Sequence, residues 1–323
     1  MNTLLLKEKN KNTVSIATTL LAKGQLVAIP TETVYGLAAD ASNKEAITEI
    51  FKVKNRPINH PLIIHFSDIN EILRYVLNVP DCFFDLANEF WPGPLTVLLH
   101  KSERVLSEIT GGSNKVCVRI PNHALTLSII RDLGSPIVAP SANDFGRISP
   151  TSAEHVMADM NGKIAAVVDG GNCNVGIEST ILDLTTEEPT LLRPGGYDLS
   201  ALEAKLGRKI FINGSSKAKV SGNLLNHYQP RTPLIQLSYS EIIKFCEQEK
   251  FISNSILMHY SPLKNPRINS YLMPKNPKSY GQDLYAVLRT LDNSNYDAIY
   301  IEAPPSEISW MAIQDRVFKA AYK

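Results

Sequence analysis

Net charge is almost absent from this sequence: 33 lysines and arginines stand against 32 aspartates and glutamates, a formal +1. No global field draws the chain to nucleic acid or to an anionic membrane, so an anion site has to be local. Cysteine is scarce too. Cys82, Cys117, Cys173 and Cys246 lie far apart with no CxxC pair, which argues against a zinc ribbon or a disulfide framework and fits a reducing, cytoplasmic compartment. Long apolar runs are missing. The opening MNTLLLKEKNKNT has a short leucine run before charged residues, too little for a signal peptide, and no later stretch approaches the roughly 18 apolar residues of a membrane span. Neither GxxxxGK[ST] nor a GxGxxG after a strand occurs, so a P-loop and a dinucleotide-binding turn are both excluded. No Ser-His-Asp order, zinc-type spacing or paired-carboxylate signature supports covalent or metal-hydrolytic chemistry.

What is present is an alternation of strand-length apolar runs with segments of helical period, the pattern of a mixed α/β sheet with helices packed on it. A chain of 323 residues exceeds the usual size of a single core, so a large and a small domain are expected. Strands are predicted at Leu26 to Ile29, Leu62 to Phe66, Thr96 to His100, Val116 to Ile120, Pro136 to Ala139, Ile164 to Val168 and Thr180 to Leu184. Ser42 precedes Glu45 at capping-box spacing, and Ala46, Ile47, Ile50 and Phe51 then share one helical face. Pro57 is expected to end that helix. The text FINGSSKAKVSGNLLNHYQPR reads as a linker over 211–231, between a first domain over 1–210 and a second over 232–323. Beyond it PLIQL, EIIKFCEQE, NSILMHY, QDLYAVLRTLD, DAIYIEAP and SWMAIQDRVFKAAY alternate strand and helix, predicting a small parallel or mostly parallel α/β unit.

Against the near-zero net charge, FKVKNRPINHPLIIHF crowds Lys52, Lys54, Arg56, His60 and His65 into one helix end and the strand after it. Lys54, Arg56 and His60 can converge on one anion, arginine as a planar fork and lysine as a point charge. They serve equally as solvated charge at a helix C-terminus, worth about 0.3–1 kcal/mol. His65, flanked by apolar residues, reads by itself as a core histidine bonded to backbone. In IPTETVYGLAAD, Thr31, Glu32 and Thr33 follow a strand at the edge where α/β sheets hold ligands, or cap the next helix. APSANDFGRISPT puts Ser141, Asn143, Ser149 and Thr151 in a loop suited to phosphate or ribose, or to an N-cap. KVCVRIP places Lys115 and Arg119 on one face by the period of two, and LLRPGG ends a strand at Arg193. DGGNCNVGIESTILD adds a glycine-rich loop leading to Ser179 and Thr180, where backbone amides can cradle an anion.

Taken in order, PTETVYGL, KNRPINHPLIIH, WPGPLT, VRIP, PSAN with SPT, GIESTILDL and RPG resemble the threonylcarbamoyl-AMP synthase family, whose catalytic part is a YrdC-like domain. HYQPRTPL and DRVFKAAY resemble its long form, which carries a C-terminal accessory domain. The resemblance implies a twisted open mixed sheet with helices around a basic cleft, followed by a small Rossmann-like α/β domain. It implies an enzyme joining L-threonine, bicarbonate and ATP, with Mg2+ on the phosphates, into threonylcarbamoyl-adenylate and pyrophosphate. The product feeds the downstream tRNA threonylcarbamoyltransferase machinery acting at adenosine 37, with weak RNA contact and no membrane. Carried over residue by residue, the pattern assigns ATP to Arg56, His60, Lys115, Ser141, Asn143, Ser149, Arg193 and Tyr228, and L-threonine to Thr33, His65, Arg119, Ala139 and Ser179. Lys54 and Arg56 take the catalytic role of stabilising charge as pyrophosphate leaves, and the linker at His227 or Tyr228 closes over the nucleotide. Lys115 stands where a small hydroxyl residue is usual, Cys117 replaces a common glycine or alanine, and Phe145 replaces the usual serine. The rival readings are an RNA-binding module, opposed by the near-zero charge and the lack of aromatics among the cations, and the carbamoyltransferase of hydrogenase maturation, which carries cysteine pairs that this chain lacks.

Overall fold

The computed structural model describes residues 2–212, 218–222, 224, 226–248, 250–263 and 268–322. The chain divides into two compact units, Met1–Phe145 with Ser149–Asn223, and Gly146–Ile148 with Leu224–Lys323.

In the first unit the strands are β1 (Leu4–Lys7), β2 (Val27–Ile29), β3 (Gly36–Asp40), β4 (Ile63–His65), β5 (Val76–Leu77), β6 (Leu95–Lys101), β7 (Lys115–Arg119), β8 (Ile137–Val138), β9 (Ala166–Asp169), β10 (Thr180–Asp183), β11 (Thr190–Arg193) and β12 (Phe211–Ile212). They form a 12-stranded mixed sheet in the order β1-β9-β2-β3-β8-β4-β7-β6-β10-β11-β12, with β5 paired to β6 off that path. Every strand expected from the sequence is there. GLAAD, not among the predicted strands, is β3, and Phe211–Ile212, expected to open the linker, pair in parallel with β11. The linker residues 213–217, 223 and 225 lie outside the described residues.

Burial explains the arrangement. Alternate residues of β2 and β9 (Val27, Ile29, Ala166, Val168) turn to one face, where Ala17 and Leu21 of the helix Thr13–Ala22 and Ile129 and Ile130 of the helix Ala124–Leu133 cover them. Each buried valine, leucine or isoleucine among them contributes roughly 1.5–3 kcal/mol relative to exposure.

The second unit has β13 (Leu234–Leu237), β14 (Ser255–His259), β15 (Asn269–Leu272) and β16 (Ala298–Glu302), all parallel, in the order β13-β16-β14-β15. SILMH and AIYIE are buried throughout, as parallel strands covered on both faces require. Helices Tyr239–Gln248, Pro277–Asp292 and Met311–Ala321 supply the covering layers. Asn276 caps the longest through the Ser279 N–H, with Pro277 at its first position. The Rossmann-like detail expected of this unit is not confirmed by its strand order. Numbered within the unit the sheet runs first, fourth, second, third, whereas the full dinucleotide-binding sheet runs 3-2-1-4-5-6.

Candidate active site

The cationic stretch is built by a helix end. The helix Lys44–Val53 buries Ala46, Ile47, Ile50 and Phe51, the face expected from the sequence. Both of its ends differ from expectation. Asn43, not Ser42, caps the start by accepting the Ala46 N–H at 2.9 Å, because the Ser42 hydroxyl is drawn to Asp40 Oδ1 at 2.8 Å. The stop comes before Pro57: Asn55 adopts a left-handed φ of 51°, the Arg56 N–H reaches the Phe51 carbonyl at 2.8 Å, and the Asn55 N–H reaches that of Lys52 at 3.1 Å. This is a Schellman motif with asparagine in the glycine position, and it sends Lys54 and Arg56 inward.

Lys54 is 1% exposed, and its ammonium donates to the backbone carbonyls of Ser141 and Asn143. Burial first, then the neighbouring Arg56 charge, push its pKa down to about 7. Lys54 therefore ties the helix end to the loop after β8. The same loop is held by the Phe145 N–H on the Lys54 carbonyl and by the Asn143 amide on the Asp144 carbonyl. Arg56, also buried, donates to the Pro61 carbonyl at 3.0 Å and to Ser221 Oγ at 3.5 Å, and its guanidinium lies 5.4 Å from the Phe145 ring centroid. The same ring meets the His60 imidazole edge-on at 5.2 Å. Desolvation, then Arg56 and Lys219, lower the His60 pKa. Phe145, a departure from the family pattern, thus packs against two predicted ATP contacts.

The period of two on β7 fixes the rest. His65 pairs with Arg119 and Ile63 with Cys117 across β4 and β7, while Leu98 of β6 faces Cys117. One face of the sheet consequently has an apolar centre of Ile63, Leu98, Cys117 and Ile181, with Val220 from the linker packed on it. Charge lies at its margins. At one end the Lys115 ammonium is 3.4 Å from Asp183. Arg193 binds the Ser179 carbonyl through Nε and Nη2 at 3.1 and 2.9 Å and the Ser221 carbonyl through Nη1 at 2.9 Å. Arg56 and Arg193 thus both reach Ser221.

Toward the Arg119 end are the predicted threonine contacts. Arg119 is 3% exposed; its Nη2 lies 2.7 Å from Glu32 Oε1 and donates to Thr33 Oγ1 at 3.1 Å, while Nε donates to the Gly93 carbonyl at 3.3 Å. His65 Nδ1 faces the Ile63 carbonyl at 3.2 Å, and burial, then Arg119, drive its pKa down to about 3, so the ring is neutral. Ser179 Oγ sits 2.7 Å from Thr96 Oγ1 and accepts from Arg193 at 3.1 Å. The backbone of Ala139 reaches Ile63 through its N–H at 3.3 Å, beside the half-buried Ser141. Ser149 donates to Glu178 Oε1 at 2.6 Å. Gly195 of RPG is explained by contact: a Cβ there would overlap the backbone of Glu178, Ser179 and Thr180.

Tyr228 belongs to the second unit, where it is 1% exposed, stacks on Tyr285 at 5.7 Å and lies under the Arg316 guanidinium at 5.2 Å. The site also holds residues outside the predicted set. Glu32 and Glu178 are buried carboxylates directly beside Thr33 and Ser179, and Ser221 joins the two arginines. Glu32 stood in PTETV at the strand end where ligands are held, without an assigned role, and Glu178 stood in GIEST with no signal beyond its neighbour Ser179.

Residues 19–195 match the Sua5_yciO_yrdC family, described as "Telomere recombination", and residues 197–322 match "Threonylcarbamoyl-AMP synthase, C-terminal domain". The threonylcarbamoyl-AMP synthase of Pyrococcus abyssi is 36% identical over 323 aligned residues, covering 95% of this chain and 94% of its own. That of Bacillus subtilis is 35% identical, covering 97% and 94%. The crystal structure of P. abyssi Sua5 complexed with L-threonine superposes with a TM-score of 0.89 at 35% identity, covering 99% of this chain and 98% of that one. No described helix is long and apolar enough to cross a membrane. With two matched families spanning the sequence almost entirely and relatives aligned along nearly their full length, the chain belongs to the threonylcarbamoyl-AMP synthase family in its long, two-domain form.

Proposed function

We propose that this chain, in the cytoplasm, joins L-threonine, bicarbonate and ATP into threonylcarbamoyl-adenylate with release of pyrophosphate, for transfer to adenosine 37 of tRNA by a downstream transferase. The observation that carries the reading is the shared sheet face: Arg56 and Arg193 meet at Ser221, Lys54 holds the Ser141–Asn143 loop, Arg193 also binds Ser179, and Arg119 binds Thr33. Buried arginines beside hydroxyls suit a triphosphate. A single arginine at the end of the face, next to a threonine hydroxyl and a neutral histidine, suits the carboxylate and side chain of a small amino acid.

A carbamate oxygen on the threonine nitrogen attacks the α-phosphorus, and no protein nucleophile is needed. Arg56 and Arg193 stabilise charge as pyrophosphate leaves, and Arg119 holds the threonine carboxylate. Alignment of this kind supplies ~7–11 kcal/mol of a barrier. Lys54 acts chiefly through the loop it binds, which would carry Ser141 and Asn143 to the nucleotide. Mg2+ fits as a metal carried in by the phosphates, whose charge it neutralises when bound. The residues assigned to ATP offer cations and polar groups rather than carboxylates, and among the described residues no three His, Cys, Asp or Glu side chains gather as metal ligands. The assignments of His60, Lys115 and Tyr228 to ATP rest on the family pattern and are tested by the ATP KM of their alanine variants. The reaction itself is tested by pyrophosphate release requiring all three substrates, and the pocket by calorimetry of L-threonine against serine and allothreonine. Release independent of threonine overturns the reading.

A further inference from the structure

Glu32 follows β2, and its backbone is fixed by the Val175 N–H donating to its carbonyl at 2.8 Å. Its side chain is 6% exposed, and the Arg119 guanidinium lies 2.7 Å from Oε1. That approach is an ion pair without hydrogen-bond alignment: neither carboxylate oxygen has a hydrogen-bond partner, and Oε2 has no ion-pair partner among the described residues. Buried polar atoms are nearly always hydrogen-bonded, and an unsatisfied charged one is the most costly case. Titratable groups near enough to feel its charge include Arg119, Cys173, His123 and Tyr197. Burial raises the thiol and the phenol and lowers the imidazole, which leaves Arg119 as the one cation among them at neutral pH.

The proposed substrate at Arg119 is a zwitterion. An amino acid carries its carboxylate and its ammonium on the same carbon, so if Arg119 takes the carboxylate, the ammonium needs an anion beside Arg119. Carbamate formation also needs the free amine. We propose that Glu32 receives the α-ammonium of the amino-acid substrate on its unpartnered oxygen and takes its proton. The N–H electron pair stays on nitrogen, which attacks the carbon of bicarbonate; the N–C bond forms, the C–OH bond breaks, and the hydroxyl leaves as water with a second amine proton. The proton on Glu32 passes to solvent. The balance is RNH3+ + HCO3− → RNHCOO− + H2O + H+. Attack on the α-phosphorus comes afterwards and makes no demand on Glu32.

This separation supplies the test, which rests on the proposed activity. Glu32→Gln keeps the shape and removes the basicity. Threonine- and bicarbonate-dependent pyrophosphate release should fall on the order of 10²-fold or more, the range of a lost general base. The reverse half, ATP formation from supplied threonylcarbamoyl-adenylate and pyrophosphate, should stay within a few-fold, because it ends at the carbamate. The forward defect should shrink as pH rises toward the pKa of threonine's own ammonium, since the free amine then arrives by itself; a merely structural role gives no such rescue. Forward release within twofold of the unaltered protein overturns the proposal. Equal loss in both directions at every pH also overturns it, because Glu32 then only braces Arg119. If the Gln variant does not fold, Glu32→Asp carries the test: a shortened carboxylate should retain part of the forward rate without the alkaline rescue, and a pH-independent loss in both directions is again fatal. Failure of the functional reading is distinct, for then the unaltered protein shows no threonine-dependent release.

Discussion

Glu32 and Glu302 are buried carboxylates, one in each unit, the first just beyond β2 and the second the last residue of β16. Their surroundings differ completely. Glu302 Oε2 accepts the N–H groups of Tyr260 and Ser261 at 2.8 and 2.9 Å, and Oε1 accepts the Ser261 hydroxyl. The Glu32 carboxylate accepts no hydrogen bond among the described residues and is ion-paired there with Arg119. The first is saturated by a loop of its own unit, so it is a fastener between β16 and the turn after β14. The second keeps unused capacity at a place where a ligand donor can take it. The contrast extends to the sheets. The small parallel sheet presents mostly apolar strands, while one face of the large mixed sheet carries His65, Arg119, Arg193 and Asp183 around an apolar centre. Buried charge by itself says little about function; buried charge left partly unsatisfied says much more.

The largest effect is expected at the crowded face. Arg56→Ala should lower threonine- and bicarbonate-dependent pyrophosphate release by about 10²–10³-fold, the loss seen when one preorganised donor to developing charge is removed. Turnover near that of the unaltered protein would take Arg56 out of the reaction and erase the functional half of the contrast. Glu302→Leu probes the other half. It strands two N–H groups and a hydroxyl, so unfolding free energy should drop by about 3 kcal/mol, read from the denaturant midpoint. Threonine affinity of the folded protein should stay within about twofold, because Glu302 is a fastener. A stable protein with weakened threonine binding would reverse the assignment.

His65 sharpens the difference through pH. Its folded pKa is lowered to about 3 by burial and Arg119, against ~6.5 in the unfolded chain. Between those values the unfolded state binds more protons, so stability rises with pH. The contribution is fully present above about 6.5 and is lost as pH falls toward 3, by about 1.4 kcal/mol for each pH unit. Between pH 6.5 and 4.5 the unaltered protein should lose about 2–3 kcal/mol more than His65→Gln does. Parallel curves for the two proteins would mean that water or an anion reaches the imidazole.

Much of this was legible because it follows from periodicity. KVCVR alternates, so Lys115 and Arg119 had to share a face, and Ala46, Ile47, Ile50 and Phe51 had to line one side of a helix. The helix ends were less legible, since Ser42 with Glu45 and Asn43 with Ala46 offer competing caps one residue apart, and Asp40 decides between them. Asn55 was passed over as a stop because asparagine enters the left-handed region less often than glycine. β3 is made of small residues that carry no strand signal, and β15 is exposed along its whole length, so neither alternates. Strand order in the small sheet is set by crossovers between distant segments, and no local pattern records it. The residues scattered over Thr33 to Arg193 were assigned to ligands as a set through the family resemblance; the period-of-two face then shows physically why several of them lie together.

Lys115 offers the smallest effect and the finest division between a group spent on the fold and one kept for a ligand. Its ammonium is half-buried and 3.4 Å from Asp183, which is fully buried and also accepts the Thr185 N–H at 2.8 Å. Lys115→Thr restores the small hydroxyl usual in the family and leaves Asp183 its bonds to Thr185. If Lys115 is committed to Asp183, stability should fall by no more than about 1 kcal/mol and the KM for ATP should stay within about twofold. A tenfold or larger rise in that KM, with stability unchanged, would show that the ammonium leaves Asp183 for a phosphate. The loaded face would then run the length of β7, from Arg119 to Lys115.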